Sequence, residues 1–219
     1  MISAIILAAG ASTRFGRCKQ LMRLGDKTML EHVLHTVSRS AVQDVILVLG
    51  AHAEAILHEV QTGGARVVIN QAYAEGLSSS LQAGLRMLPT TAEAALIVLA
   101  DQPFVSPRTL DTLIEEYRRH SPAAVIPVYH GARGNPVLVD RSIFAEIMRV
   151  RGDIGCRAIF GSHGENILKV AVDDPGIMRD IDSLEDFEST RESSRYPGRP
   201  NQDRGLRRDR PEHRGKDYA

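Results

Sequence analysis

Three groups of residues have the types and the spacing to do chemistry. The first lies in the stretch Leu7-Ala8-Ala9-Gly10-Ala11-Ser12-Thr13-Arg14-Phe15-Gly16-Arg17-Cys18-Lys19. It follows an apolar run, Ile2 to Leu7, so backbone N–H groups leaving a buried strand can converge on an anion. Arg14 offers a bidentate fork and Lys19 a mobile point charge, both suited to phosphate oxygens. The second is Asp101, which ends the apolar run Leu96-Ile97-Val98-Leu99-Ala100. A carboxylate there suits Mg²⁺, which takes one or two carboxylates and fills its shell with phosphate oxygens. The same aspartate would also serve as a turn or helix cap. The third is Asp180-Ile181-Asp182. Alternate spacing puts both carboxylates on one face of a strand, and either could be the second metal ligand. Asp182 could also cap a helix, with Glu185 closing a capping box. Together these groups describe a site for the phosphates of a nucleoside triphosphate and a divalent cation.

Two common phosphate-binding motifs are excluded. A P-loop needs Gly-Lys-Ser/Thr at its end, but Gly10 and Gly16 are six apart and Gly16 is followed by Arg17 and Cys18. A dinucleotide fingerprint needs an acid at the end of the second strand, where this chain has Leu49-Gly50-Ala51-His52. Further polar loops remain. Glu75-Gly76-Leu77-Ser78-Ser79-Ser80 could hold a base or ribose, or simply start a helix. Arg133-Gly134-Asn135-Pro136 and Gly152-Asp153-Ile154-Gly155-Cys156-Arg157 are too elaborate for hairpin turns. The eight histidines show no metal-ligand spacing. Cys18 and Cys156 form no CxxC pair and read as free thiols of a reducing cytoplasm.

The elements that must position these groups follow from periodicity. Helical spacing predicts helices over 26–40, 53–60, 81–88, 106–120 and 141–150, with a short one over 154–160 and a last one near Glu185. Ser106-Pro107 is a cap followed by proline at the first helical position. Apolar runs predict strands over 2–7, 45–49, 66–69, 94–100, 123–129 and 136–139, with extended segments at 167–172 and 177–181. Strands and helices alternate through the first 120 residues, which argues βαβ units and a mostly parallel sheet. The later short strands suggest an antiparallel addition. In such a sheet the ligand lies beyond the carboxyl ends of the strands. The Gly/Arg/Lys loop and Asp101 both sit there, on one rim.

The 219 residues suffice for one α/β domain with a real core. Lys and Arg total 27 and Asp and Glu total 27, so no global field argues for nucleic acid or membrane. The N-terminal apolar run lacks the basic start of a signal peptide, and no run is long enough to span a bilayer. The expected organisation is a domain over residues 1–188 and an Arg-rich tail over 189–219. That tail has no Ile, Val, Met or Phe, so it is expected to be disordered.

The pattern Leu7-Ala8-Ala9-Gly10-x-Ser12-x-Arg14-x-Gly16-x-x-Lys19 resembles the signature loop of a nucleotidyltransferase family. That family includes the MobA-like molybdenum cofactor guanylyl- and cytidylyltransferases and the sugar-nucleotide pyrophosphorylases. Further resemblance comes, in the family's order, from Gly76-x-x-x-Ser80-Leu81, Leu99-Ala100-Asp101-Gln102-Pro103, Arg133-Gly134-Asn135-Pro136-Val137, Gly152-Asp153-x-Gly155-x-Arg157 and Asp180-Ile181-Asp182-Ser183. The pattern is more similar to the molybdenum cofactor cytidylyltransferase branch, because the guanylyl branch has a second glycine where this chain has Ala9. Leu184 departs from the proline frequent in related sequences, and the tail has no counterpart in the family pattern.

The resemblance implies a Rossmann-like, glycosyltransferase-A type three-layer α/β sandwich with a mostly parallel mixed sheet. It implies Mg²⁺-dependent transfer of a nucleoside monophosphate, with Mn²⁺ as the alternative cation and CTP as the expected donor. Leu7, Ala8, Ala9, Gly10, Gly76 and Ser80 would hold the nucleotide, with Arg14 and Lys19 on its phosphates. Asp101 would bind the metal together with Asp182 or Asp180. Arg133, Gly134, Asn135, Asp153 and Gly155 would hold the acceptor, molybdopterin in the branch of greatest resemblance. A sugar phosphate is the alternative acceptor. A different class of function is a non-catalytic nucleotide-binding partner of a molybdenum hydroxylase or of its maturation factor. Arg14, Lys19 and Asp101 together disfavour that reading.

Overall fold

The computed structural model describes residues 1–195, apart from the side chains of Arg14 and of residues 192–195. The ten strands are β1 (Ile2–Ala8), β2 (Arg23–Leu24), β3 (Lys27–Thr28), β4 (Asp44–Leu49), β5 (Arg66–Ile69), β6 (Ala94–Leu99), β7 (Ala124–Tyr129), β8 (Ala132–Arg133), β9 (Val137–Asp140) and β10 (Ile167–Ala171). The helices are α1 (Met29–Ser38), α2 (Ala53–Glu59), α3 (Leu77–Arg86), α4 (Pro107–His120), α5 (Phe144–Ile147), α6 (Arg157–Phe160) and α7 (Leu184–Arg195).

The main sheet runs β10-β7-β9-β6-β1-β4-β5, with β8 added to β7. β6, β1, β4 and β5 are parallel, and β9 is antiparallel to both of its neighbours. This is the expected three-layer sandwich with a mostly parallel mixed sheet. β1 shows why it forms. Ile2, Ala4, Ile6 and Ala8 pack on one face with α1, α2 and α4, while Ile5, Leu7 and Ala9 pack on the other with α3, α5 and α6. Side chains alternate along a strand, so a continuous apolar run is a strand covered on both sides.

Several expected elements differ. The helix from Asp26 begins at Met29, because Arg23–Thr28 forms the β2–β3 hairpin and Thr28 makes a capping box with Glu31. The helix expected from Leu81 begins at Leu77, because its serines are tied inward rather than left in a loop. The helix expected over 141–150 is a 3-10 turn, Arg141–Ile143, followed by the short α5. The segment 177–181 is not a strand. Pro175–Met178 is a 3-10 turn and the chain stays irregular to Ser183. The cap of α7 is Ser183 rather than Asp182. Ser183 Oγ accepts from the N–H of Asp186 at 3.1 Å, and the Asp186 carboxylate accepts from the N–H of Ser183 at 2.8 Å. α7 runs to Arg195, past the expected domain end at residue 188, and Thr190 is buried. The expectation of disorder over 196–219 lies outside the described residues.

Candidate functional site

The site is built on the carboxyl ends of β1 and β6, which pair in parallel with Leu7 opposite Leu99. The loop after β1 turns through Ser12 and Gly16, both at positive φ, around a 3-10 turn at Thr13–Phe15. Arg14 belongs to that turn, and its guanidinium lies outside the described residues.

Lys19 stands at the centre. Its Nζ donates to Asp101 Oδ2 at 2.8 Å, to Asp182 Oδ1 at 3.1 Å and to the Ile181 carbonyl at 3.4 Å. Burial pulls the Lys19 ammonium down, but the charge and hydrogen bond of Asp101, reinforced by Asp182, outweigh it and hold it above the ordinary lysine value. Asp182 reaches this point because the N–H of Ile181 bonds the Asp101 carbonyl at 3.0 Å. Asp180 turns elsewhere, to the side-chain amide of Gln102, which also donates to the Ile177 carbonyl at 3.3 Å. Burial raises the Asp180 pKa, and the negative charges of Asp101 and Asp182 add to the shift against the bond from Gln102. The tertiary structure therefore separates two aspartates that the sequence leaves equivalent.

Two adjoining cavities open on this rim, and Lys19 lines the first. One, of about 260 Å³, is lined by Leu7, Ala9, Gly10, Lys19, Ser80 and Asp101, among others. Gly76 lines it as well. The other, of about 360 Å³, is lined by Asn135, Asp153, Gly155, Arg157 and Asp180 over an apolar floor that includes Leu81 and Ile97. Leu7, Leu77, Leu99 and Asp153 line both, so the two form one bent cleft.

Not every expected residue faces this cleft. Ala8 packs on the opposite face of β1, because its neighbours Leu7 and Ala9 take the cleft side. Arg133 is exposed on β8 and lines neither cavity. Gly134 is buried as a close-packing residue. A Cβ on it would lie 2.4 Å from the Ile177 carbonyl oxygen.

Some residues that shape the cleft carried no motif signal. Gln20 is buried, and its amide donates to the carbonyls of Ala8 at 3.2 Å and Gly10 at 3.4 Å. Its Oε1 accepts from Ser12 Oγ at 3.2 Å, and Ser12 Oγ accepts from the N–H of Lys19 at 3.2 Å. The glycine loop after β1 is thus braced from inside. Asn70 does the same for α3, donating to Ser79 Oγ at 2.8 Å and Ser80 Oγ at 3.0 Å. A buried polar side chain next to a glycine-rich loop is the signal that would have found both. Neither cysteine is activated. Burial pushes the Cys156 thiol up to about 12 and also raises Cys18.

The donor set fits a divalent cation that takes most of its ligands from phosphate. Asp101 Oδ1 is buried and has no hydrogen-bond partner among the described residues. A buried carboxylate oxygen left in that state is costly unless a cation or donor meets it. Among the described residues no group of three or more His, Cys, Asp or Glu is placed to hold a metal by itself. One or two carboxylates with phosphate oxygens and water is the preference of Mg²⁺.

Residues 4–167 match the family described as "MobA-like NTP transferase domain". The chain is 29% identical to nicotine blue oxidoreductase of Paenarthrobacter nicotinovorans, over 84% of this chain and 93% of that protein. It is 27% identical to molybdenum cofactor cytidylyltransferase of Escherichia coli, over 87% of this chain and 96% of that protein. The crystal structure of Rv0371c from Mycobacterium tuberculosis superposes with a TM-score of 0.80 at 29% identity, covering 87% of this chain and 97% of that one. The same protein in complex with manganese superposes with a TM-score of 0.76 at 28% identity, covering 88% and 98%. Among the described residues no helix is long and apolar enough to cross a membrane.

Proposed function

The chain belongs to the MobA-like NTP transferase family and is a nucleotidyltransferase, and from that premise we propose that it transfers CMP from CTP to the terminal phosphate of a molybdopterin-type acceptor. The observation that carries this reading is Lys19, which lines the smaller of two adjoining cavities and bonds Asp101, whose other carboxylate oxygen is buried and unpartnered among the described residues. The smaller cavity would take the nucleotide, with Leu7, Ala9, Gly10, Gly76 and Ser80 around it and Lys19 toward the phosphates, where the family resemblance also assigns Arg14. Ala9 supports a pyrimidine, because its methyl stands where the guanylyl branch has a second glycine. The larger cavity would take the acceptor. Its apolar floor suits a flat heterocycle, and Asn135, Asp153 and Asp180 offer acceptors to ring N–H groups.

In the reaction an oxygen of the acceptor phosphate attacks the α-phosphorus. The bond from that phosphorus to the bridging oxygen breaks, pyrophosphate leaves, and a phosphoanhydride forms. The acceptor phosphate is already an anion near neutral pH, so no strong general base is required. Transfer of this kind depends on alignment and charge neutralisation. Lys19 and Arg14 would stabilise the charge gathering on pyrophosphate. Asp101, with Asp182 beside it, would hold Mg²⁺ or Mn²⁺, which when bound neutralises phosphate charge. Gln20, by donating to the Ala8 and Gly10 carbonyls, would hold the shape of the loop that takes the phosphates.

Pyrophosphate release with CTP, GTP, ATP and UTP, each with and without molybdenum cofactor, tests the reading. Turnover with CTP and the cofactor together is expected. Turnover only with a sugar phosphate would replace the acceptor. Nucleotide binding without turnover in any pair would favour the non-catalytic partner of a molybdenum hydroxylase.

A further inference from the structure

The structure assigns Lys19 a second role: it is an exchangeable internal cation that closes the metal carboxylates until a nucleotide draws it away. The inference rests on the reading of Asp101 and Asp182 as the cation-binding carboxylates. One oxygen of each is occupied by the Lys19 ammonium, at 2.8 Å and 3.1 Å. The ammonium therefore lies between two groups that a divalent cation would have to share. A dication and an ammonium cannot both contact the same pair of oxygens, because their repulsion at ion-pair distance is strong in a half-buried site. One must give way.

The surroundings make Lys19 the group that moves. Its backbone is pinned by the bond from its N–H to Ser12 Oγ, and the next residue, Gln20, is buried and bonded to Ala8 and Gly10. Only the side chain is free to rearrange, and a lysine stem does so by rotation about single bonds. That stem already lines the cavity proposed for the nucleotide. A triphosphate there offers the ammonium oxygens of equal or greater charge. When Lys19 turns to them, Oδ2 of Asp101 and Oδ1 of Asp182 open together, next to the unpartnered Oδ1 of Asp101. Free cation then meets a closed site and nucleotide-bound cation an open one. A preferred order of binding follows: nucleotide first or with its cation, with free cation binding only weakly because it must displace Lys19.

The test is Mn²⁺ binding to the full-length chain without nucleotide, by titration calorimetry or electron paramagnetic resonance. Lys19→Met keeps the stem and removes the charge. It should bind free Mn²⁺ roughly tenfold more tightly than wild type, within the usual range for coupled sites. Equal or weaker binding by a folded Lys19→Met protein overturns the inference. A second measurement needs no variant. Amine-reactive labelling of wild type, read by mass spectrometry with Lys27 as reference, should rise at Lys19 when saturating Mn²⁺ is added alone. It should fall again with CTP. Labelling unchanged by bound Mn²⁺ overturns the inference as well. The underlying reading fails differently: if Asp101→Asn binds Mn²⁺ with CTP as well as wild type does, the carboxylates are not the cation site at all.

Discussion

The buried side-chain amide of Gln20 donates to the carbonyl oxygen of Ala8 across 3.2 Å. That bond fastens the far end of the glycine loop to the last residue of β1. It also fixes where Lys19 leaves the backbone. Replacing Gln20 by Ala leaves two loop carbonyls short of a donor and opens a void. A loss of about 1–3 kcal/mol in unfolding free energy is expected. Urea unfolding checks the stability. Steady-state kinetics should show KM for the nucleotide rising more than KM for the acceptor. An equal effect on both would place the brace outside nucleotide binding.

Gly76 has φ near +100° and touches the other cleft loop, where a Cβ would lie 2.5 Å from the Gly152 carbonyl carbon and 2.6 Å from the Asp153 N. Gly76→Ala therefore combines backbone strain of roughly 1–3 kcal/mol with a clash against backbone that has no rotamer to change. The two cavities share the Asp153 wall, so the variant should lose both nucleotide and acceptor affinity. Separate binding titrations with each ligand check this. Loss of one alone would show that the loops move independently.

Asp101→Asn keeps the shape of the side chain and removes the charge facing Lys19. Turnover should fall by roughly 10²–10³-fold, the scale for removal of one charge-stabilising group. The melting temperature should change little, because removing the charge lowers the desolvation cost of the buried carboxylate while Lys19 keeps its bond to Asp182. Stopped-flow pyrophosphate release and thermal melting are the two measurements. Activity near that of wild type would remove Asp101 from the reaction.

Acid stability depends in part on the first residue of β4. The hydrogen bonds from Arg66, at 3.0 Å and 2.7 Å, hold the Asp44 carboxyl below its ordinary value of 3.8, against the opposing effect of burial. The sign follows from linkage. The folded state takes up this proton at lower pH than the unfolded state, so the contribution is present above about pH 4 and fades as pH falls through the folded value. Arg66 is substantially exposed, which limits the gain to about 0.3–1 kcal/mol. Asp44→Asn should lower stability at pH 7 by that amount and converge with wild type near pH 2. Urea titrations at both pH values check it, and parallel curves at all pH would refute the ion pair as their cause.

Local pattern carried much of the fold. The mainly apolar runs at 2–7, 45–49 and 94–100 read as strands covered on both faces, and they became β1, β4 and β6. Ser106-Pro107 marked the start of α4, and the helix ends at His120 where its spacing stops. The serines 78–80 misled because polar residues read as loop. All three are buried in α3, and Asn70, ten residues before Ser80, satisfies the hydroxyls of Ser79 and Ser80.

By itself, the sequence determined that the glycine loop and Asp101 share one rim, since both end parallel strands and such strands present their carboxyl ends together. It also determined the residue types at that rim, a glycine loop with Arg14 and Lys19 followed, in sequence order, by a strand-end aspartate. Only the tertiary structure decided which aspartate joins Lys19. Alternate spacing made Asp180 and Asp182 equivalent, but spacing speaks only for regular strands and this segment is not one. The bond from Ile181 to the Asp101 carbonyl turns Asp182 toward Lys19, and Gln102 captures Asp180. Those partners lie about 80 or more residues away along the chain, and nothing local in the sequence encodes a contact made only when the sheet has closed.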